Sequence, residues 1–303
     1  MTARHKESES IQDRYLVLEG SMQSGQTRHV FKNHDALVNL ALAGSARRCL
    51  DRKYLGATDV SVNQTSFLTV QVMYEVDSSR FFDGADLKRV ARGDDGNDYA
   101  MKRLTDHPLL PISEWLGYRL FRACGLKTPD YAVLYHGDGQ PPAFGSRIDL
   151  TTRQIAKDPN AFTVAGFFGP HLDELGRIYP MDAFLPNPDR HGRNLLKRVT
   201  LTGDELLCFD YSRASLVTGL PFGNTDSMNN SLTAQWWQHY RRNMAVQADH
   251  SALNRVRELP NDWIIKSLNE APDPWLGGVD PVAIDAFWRN NRDHRIDFSK
   301  NWP

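Results

Sequence analysis

The sequence predicts an α+β chain with two lobes: a β-rich lobe over 81–148 and an α-rich lobe over 149–303, preceded by an extra N-terminal segment, 1–80. Three observations lead there. Strand–turn–strand patterns crowd in before residue 150, at "KRVARGDDGNDYAMKRL" (88–104) and "DYAVLYHGDGQPPAFGSRIDL" (130–150). Beyond 150, helical and loop patterns dominate, with aromatic anchors at Trp236, Trp237, Trp263, Trp275 and Trp288. A β-rich half followed by an α-rich half suggests two layers of packing joined at a hinge, here near 146–154. The 303 residues also exceed what one small core needs.

Taken in order, residues 1–14 are polar and expected to fray. "RYLVLEG" (14–20) reads as a short strand ended by glycine, and "HDALVNLALAGSARRCLDRKYL" (34–55) as a helix interrupted at Gly44. "SFLTVQVMYEV" (66–76) alternates in part and is rich in β-formers, so it reads as a strand. In 88–104 the cluster Gly93-Asp94-Asp95-Gly96-Asn97 is a turn, which makes the segment a hairpin. "ISEWLGYRLFRACG" (112–125) reads as a helix, with Ser113 as its cap, Trp115, Leu116, Leu120 and Cys124 on its apolar face, and Gly125 as its stop. Residues 130–150 form a second strand–turn–strand, turning through His136–Pro142. An apolar strand over Leu206–Phe209 follows much later.

Composition excludes several classes. Lys and Arg number 36 against 37 Asp and Glu, so the chain is not a polybasic coat for nucleic acid, and direct nucleic-acid binding is not indicated. No apolar run approaches the roughly 20 residues that span a bilayer, and the N-terminus lacks the apolar stretch of a signal peptide. Cys49, Cys124 and Cys208 are far apart and form no C-x-x-C pair. They read as buried reduced thiols in a soluble, cytoplasmic protein.

The chemistry gathers around "PNPDRHGRN" (186–194), where two prolines and a glycine forbid a regular helix. Asp189 and Asn194 are spaced D-x-x-x-x-N, so a loop can set a carboxylate and an amide oxygen around one small volume. The strand 206–209 then delivers a second acid, Asp210. Phosphoryl transfer needs such a set: one acid to orient the attacking hydroxyl, an amide and an acid to hold Mg²⁺. It also needs a cation on the nucleotide phosphates. Lys102 lies on a strand, and by period 2 it shares a face with Ala100 and Leu104. Glu114, early in the next helix, is the carboxylate able to fix it. Strand lysine, helix glutamate, D-x-x-x-x-N and strand-end aspartate come in the order used by protein kinases.

At this point a family resemblance becomes specific. "DRHGRNLL", with Asn187, Asp189, His191 and Asn194, resembles the N-x-D-x-H-x-x-N catalytic loop of HipA-like serine/threonine kinases. "DGNDYAMKRL" resembles their lysine hairpin, "SEWLGYRLFRACGLKTPDYAVL" (113–134) their glutamate helix and strand entry, and "FGSRI" (144–148) the segment entering the hinge. The resemblance spans 81–215 with motifs. It implies a two-lobed protein-kinase-like fold, ATP and Mg²⁺ as cofactors, Asp189 as base, and Asn194 and Asp210 as Mg²⁺ ligands. It implies Lys102, positioned by Glu114, on the phosphates, and His191 on a phosphate or bracing the loop. Gly84, in "FFDGADLKR", would cover the phosphates, and Arg147 and Ile148 would lie beside the nucleotide. Arg190 and Arg193 read as solvated. The chain departs from the common G-x-G-x-x-G pattern, since Gly84 stands alone. Residues Gly84–Arg92 contain no serine, so regulation by phosphorylation there is not carried over; Ser78 and Ser79 lie just upstream.

The resemblance further implies a protein substrate and a cognate antitoxin partner, with no membrane. A D-R-H-x-x-N order is also familiar in phosphatidylinositol kinases. A small-molecule or lipid kinase therefore stays open, as does a nucleotide-binding pseudokinase scaffold acting through residues 1–80.

Overall fold

The computed structural model describes residues 68–77, 89–214 and 226–302, all within one compact unit, Phe67–Pro303. The strand and helix expected over 14–20 and 34–55, together with Cys49, Ser78, Ser79 and Gly84, lie outside the described residues.

The class is α+β, and its β-rich part is a closed five-stranded barrel. Strands β1 (Leu68–Asp77), β2 (Arg89–Gly93), β3 (Asp98–Lys102), β4 (Tyr131–Tyr135) and β5 (Ala143–Ile148) are ordered β1-β2-β3-β5-β4. The neighbours pair antiparallel except for β1 with β4, whose parallel register Leu68↔Ala132 to Gln71↔Tyr135 closes the barrel. β1, which the sequence placed in the N-terminal segment, thus takes its hydrogen bonds from β2 and β4. The interior is filled by Val70, Ala91, Tyr99, Met101, Ala132, Leu134 and Ala143. Alternation follows: with Tyr99 and Met101 inside, Ala100 and Lys102 face outward. In the β2–β3 turn, Gly96 takes φ 76°, a conformation that favours glycine.

Helix α1 (Leu110–Ala123) lies against the outside of the barrel. It begins two residues before its expected start because Pro111 is accommodated in its first turn, where a missing N–H costs nothing. Ser113 is therefore not the cap. It sits inside the helix, and its hydroxyl donates to the Tyr211 carbonyl at 2.7 Å. Gly125 does end the helix, at φ 77°, while the Leu126 N–H reaches back to the Phe121 carbonyl at 2.9 Å.

The remainder holds α2 (Ala161–Phe168), α3 (Leu172–Phe184), α4 (Asp226–Asn229), α5 (Leu232–Met244), α6 (Ser251–Glu258), α7 (Trp263–Asn269) and α8 (Pro281–Asn301). It also holds a three-stranded sheet: β6 (Thr152–Arg153), β7 (Leu195–Thr200) and β8 (Gly203–Cys208). Trp237, Trp275 and Trp288 are buried, as expected of anchors, and Trp236 and Trp263 are partly so. Indole N–H groups pin distant segments: Trp115 donates to Ser267, Trp275 to Pro142 and Trp288 to Pro260. Cys124 and Cys208 are free and buried, and burial pushes their thiols up to about 12 and about 11. Among the described residues no helix is long and apolar enough to cross a membrane.

Candidate active site

The β7–β8 hairpin explains why residues 16 apart can act together. Its register pairs Leu195 with Cys208, so the residues just outside the ladder, Asn194 and Phe209, lie opposite each other. The Phe209 N–H donates to the Asn194 carbonyl at 3.3 Å. Asp210 then leaves the strand at φ 64°, a left-handed conformation that aspartate tolerates better than most residues, and one that marks a held position.

Lys102, Glu114 and Asp210 come from β3, α1 and the end of β8. The Lys102 Nζ is 3.5 Å from Asp210 Oδ1 and 3.8 Å from Glu114 Oε1, and all three are largely buried. Lys102, on the outer face of the barrel, is therefore directed at the strand-end acid instead of decorating a solvated face. Burial opposes ionisation of Asp210. Even so, the Lys102 charge and the Ser212 hydroxyl and N–H, both donating to Oδ1, hold its carboxyl down at about 2. At Glu114 burial wins over Lys102, and the nearby Asp210 charge adds to it, so its carboxyl is pushed up to about 8. Its Oε2 accepts the Tyr211 N–H at 3.1 Å.

The loop 186–194 is rigid for identifiable reasons. Asn187 donates through Nδ2 to Asp182 on α3, at 2.9 Å. Thr233 on α5 accepts the Arg190 N–H at 2.8 Å and donates to the Asn187 carbonyl. A Cβ on Gly192 would stand 3.1 Å from the Trp236 ring, so the loop passes close beneath it. His191 accepts the Arg193 N–H on Nδ1 at 3.1 Å. Burial lowers its basicity, against the pull of the Asp189 and Asp210 charges, so the neutral ring carries its proton on Nε2. Asn194 donates from Nδ2 to the Asp189 carbonyl at 2.9 Å, which leaves its amide oxygen as the ligating end. Asp189 itself is half-buried.

One expectation needs correction. Arg190, read as solvated, is fully buried. It forms a two-pronged pair with Asp182, at 2.9 and 3.1 Å, and stacks over the Tyr211 ring. Nothing in the sequence marks Asp182 as its partner, because the two meet only through packing of α3 on the loop. Arg147 lies on the face of β5 opposite Phe144 and Ser146. Its guanidinium is directed to Asp130 at 3.5 Å. Ile148 has the parity of Ser146 and is half-buried at the end of β5. What sequence reasoning missed is a row on the Lys102 face: Val76, Val90, Ala100 and Ser146 are paired one after another across four strands. The hairpin alternation already carried that signal at Val90 and Ala100.

Among the described residues, no group of three or more His, Cys, Asp or Glu could hold a metal ion unaided. One amide oxygen and one ionised carboxylate nevertheless suit a hard cation that takes its other ligands from phosphate oxygens and water. The residues present therefore fit a Mg²⁺ held jointly with a nucleotide.

No family model matches the chain, and no curated protein matches it. Among solved structures, it is similar to the Helicobacter pylori proinflammatory kinase CtkA, at 14% identity over 72% of this chain and 92% of that one, with a TM-score of 0.43. It is also similar to the HipA of Shewanella oneidensis MR-1, solved with HipB and its operator DNA. There the identity is 12% over 84% of this chain and 70% of that one, with a TM-score of 0.40.

Proposed function

We propose that the protein is an ATP- and Mg²⁺-dependent phosphotransferase acting on serine or threonine of a protein. One observation carries the reading: a buried lysine from a strand meets a helix glutamate and a strand-end aspartate, at 3.8 and 3.5 Å. An unpartnered ammonium would be costly there, so the arrangement makes sense as a built phosphate site.

In this reading the barrel, with β1 added to 81–148, and residues 149–303 are the two lobes of a protein-kinase-like fold, and the part of 1–80 that precedes β1 recruits a partner. The row Val76, Val90 and Ala100 offers an apolar surface to the base. Lys102 holds the α- and β-phosphates and Glu114 positions it. Asn194 and Asp210 supply the protein's oxygens to Mg²⁺, which when bound neutralises charge developing on the transferred group. Asp189 orients the acceptor hydroxyl and takes its proton. His191, with Nδ1 already engaged, braces the loop. Gly84 is retained as part of the phosphate cover. An antitoxin partner is carried over from the sequence resemblance.

The test is incubation with labelled ATP and Mg²⁺, without and with cell lysate. Label on the protein itself or on a lysate protein supports the proposal. Label only in lipid or small molecules removes the protein acceptor, and nucleotide binding without turnover removes the transferase. For the partner, the tagged chain purified from its own cells should carry a second protein in stoichiometric amount; elution alone overturns that part.

A further inference from the structure

Arg190 spends four of its five N–H donors in a particular way. Nε and one Nη2 hydrogen go to the two oxygens of Asp182, and Nη1 goes to two main-chain carbonyls, those of Asn194 and Phe209. Those carbonyls belong to one proposed metal ligand and to the residue just before the other. The same planar group thus joins the Phe209 N–H, which donates to the Asn194 carbonyl, in fixing how far apart the two ligand-bearing segments stand. The Tyr211 ring lies over it, its centroid 4.9 Å from the guanidinium carbon. Asp182, fully buried, is held in turn by Asn187. No donor of this group reaches toward solvent, so nothing here reads a substrate directly.

We infer that the Arg190–Asp182 pair is a positioning device that sets the spacing of Asn194 and Asp210 and thereby makes the site select Mg²⁺ over larger divalent cations. The inference rests on the proposed function, since it assumes those two ligands. Mg²⁺ takes oxygens at about 2.0–2.1 Å in near-octahedral geometry, whereas Ca²⁺ takes them at about 2.3–2.6 Å in looser arrangements. A fixed ligand spacing therefore discriminates between them, and a loosened one does not.

The test measures affinity for a non-hydrolysable ATP analogue without metal, with Mg²⁺ and with Ca²⁺. It compares the wild type with Arg190→Met/Asp182→Leu, which replaces the buried pair by apolar side chains of similar size and removes both charges together. Asp182→Glu serves as a second variant: it keeps the charge pair but lengthens one arm, and it decides the question if the double variant does not fold. In either variant the metal-free affinity should match wild type. The Mg²⁺ enhancement should fall ~10-fold or more, as when an outer partner of a metal ligand is lost, and the Ca²⁺ enhancement much less. A merely structural pair would lower thermal stability while leaving the Mg²⁺-to-Ca²⁺ ratio intact, and that result overturns the inference alone. Absence of any Mg²⁺ enhancement in the wild type overturns the proposed function, and the inference with it.

Discussion

At the scale of single residues, the site turns on one cation shared by two acids, and that asymmetry is testable. Lys102→Met keeps the apolar stem and removes the ammonium, so transfer should fall ~10²-fold or more while the fold survives. Arginine at 102 should not restore it, because a planar fork replaces a compact charge. A single-turnover assay beside a circular dichroism melt decides; near-wild-type turnover would return Lys102 to an ordinary strand residue. Asp189→Ala should show a loss of similar size in turnover with nucleotide affinity nearly unchanged. The pH dependence has two limbs of opposite sign. Asp210, held at about 2 against an ordinary 3.8, contributes stability above 3.8 that is lost as pH falls toward 2. Glu114, raised to about 8 from 4.5, contributes stability below 4.5 that is lost as pH rises through 8. Glu114→Gln should therefore flatten the decline between those values, worth on the order of a few kcal/mol. Denaturant midpoints across a pH series measure it, and an unchanged slope would contradict the raised carboxyl. Lys102, Glu114 and Asp210 were legible because strand alternation and element order restrict where they point. Arg190 was not, because burial of a charge depends on a partner that only folding supplies.

At the scale of elements, α1 is docked through the backbone of one residue. Tyr211 gives its N–H to Glu114 and its carbonyl to Ser113, and its ring lies where a Cβ on Gly117 would come within 2.3 Å. A glycine in mid-helix costs ~1 kcal/mol relative to alanine, so local propensity alone says that Gly117→Ala stabilises. Overpacking of ~1–3 kcal/mol should reverse the sign, because the ring is buried and cannot swing away. Urea midpoints settle it, and a stabilised variant would mean the Tyr211 ring gives way to the added methyl. The sequence made α1, the β2–β3 hairpin and β8 legible through glycine punctuation and alternation. It left β6 and β7 unread because "LLKRVT" mixes charge into its alternation, and because β6 is only two residues long. The start of α1 was misplaced because serine, a good cap, outweighed the proline that actually opens the helix.

At the scale of the whole molecule, barrel closure is a contact between strands some sixty residues apart, Leu68–Gln71 with Ala132–Tyr135. Periodicity reports which face of a strand is buried, never which strand it meets, so the closure could not be read from local pattern. A joint site has a thermodynamic consequence for the entire fold. Ligand bound only by the native state stabilises it by about 2.7 kcal/mol at a hundredfold excess over Kd. For a unit of this size that corresponds to a melting shift on the order of 5–10 °C. Part of the shift should need Mg²⁺ and part should not, because in the proposed site Lys102 and the apolar row would bind nucleotide without metal. Asn194→Ala removes one proposed oxygen ligand. Asp210→Asn removes the charge yet retains a residue that tolerates the left-handed backbone at φ 64°, so its loss is not confounded with strain. In each variant the shift with ATP and Mg²⁺ should shrink to that with ATP and a chelator, while the chelator value itself stays near wild type. Scanning calorimetry reads both values on one sample. If both variants keep the wild-type Mg²⁺ increment, the metal is held by residues other than the two that the β7–β8 hairpin brings together.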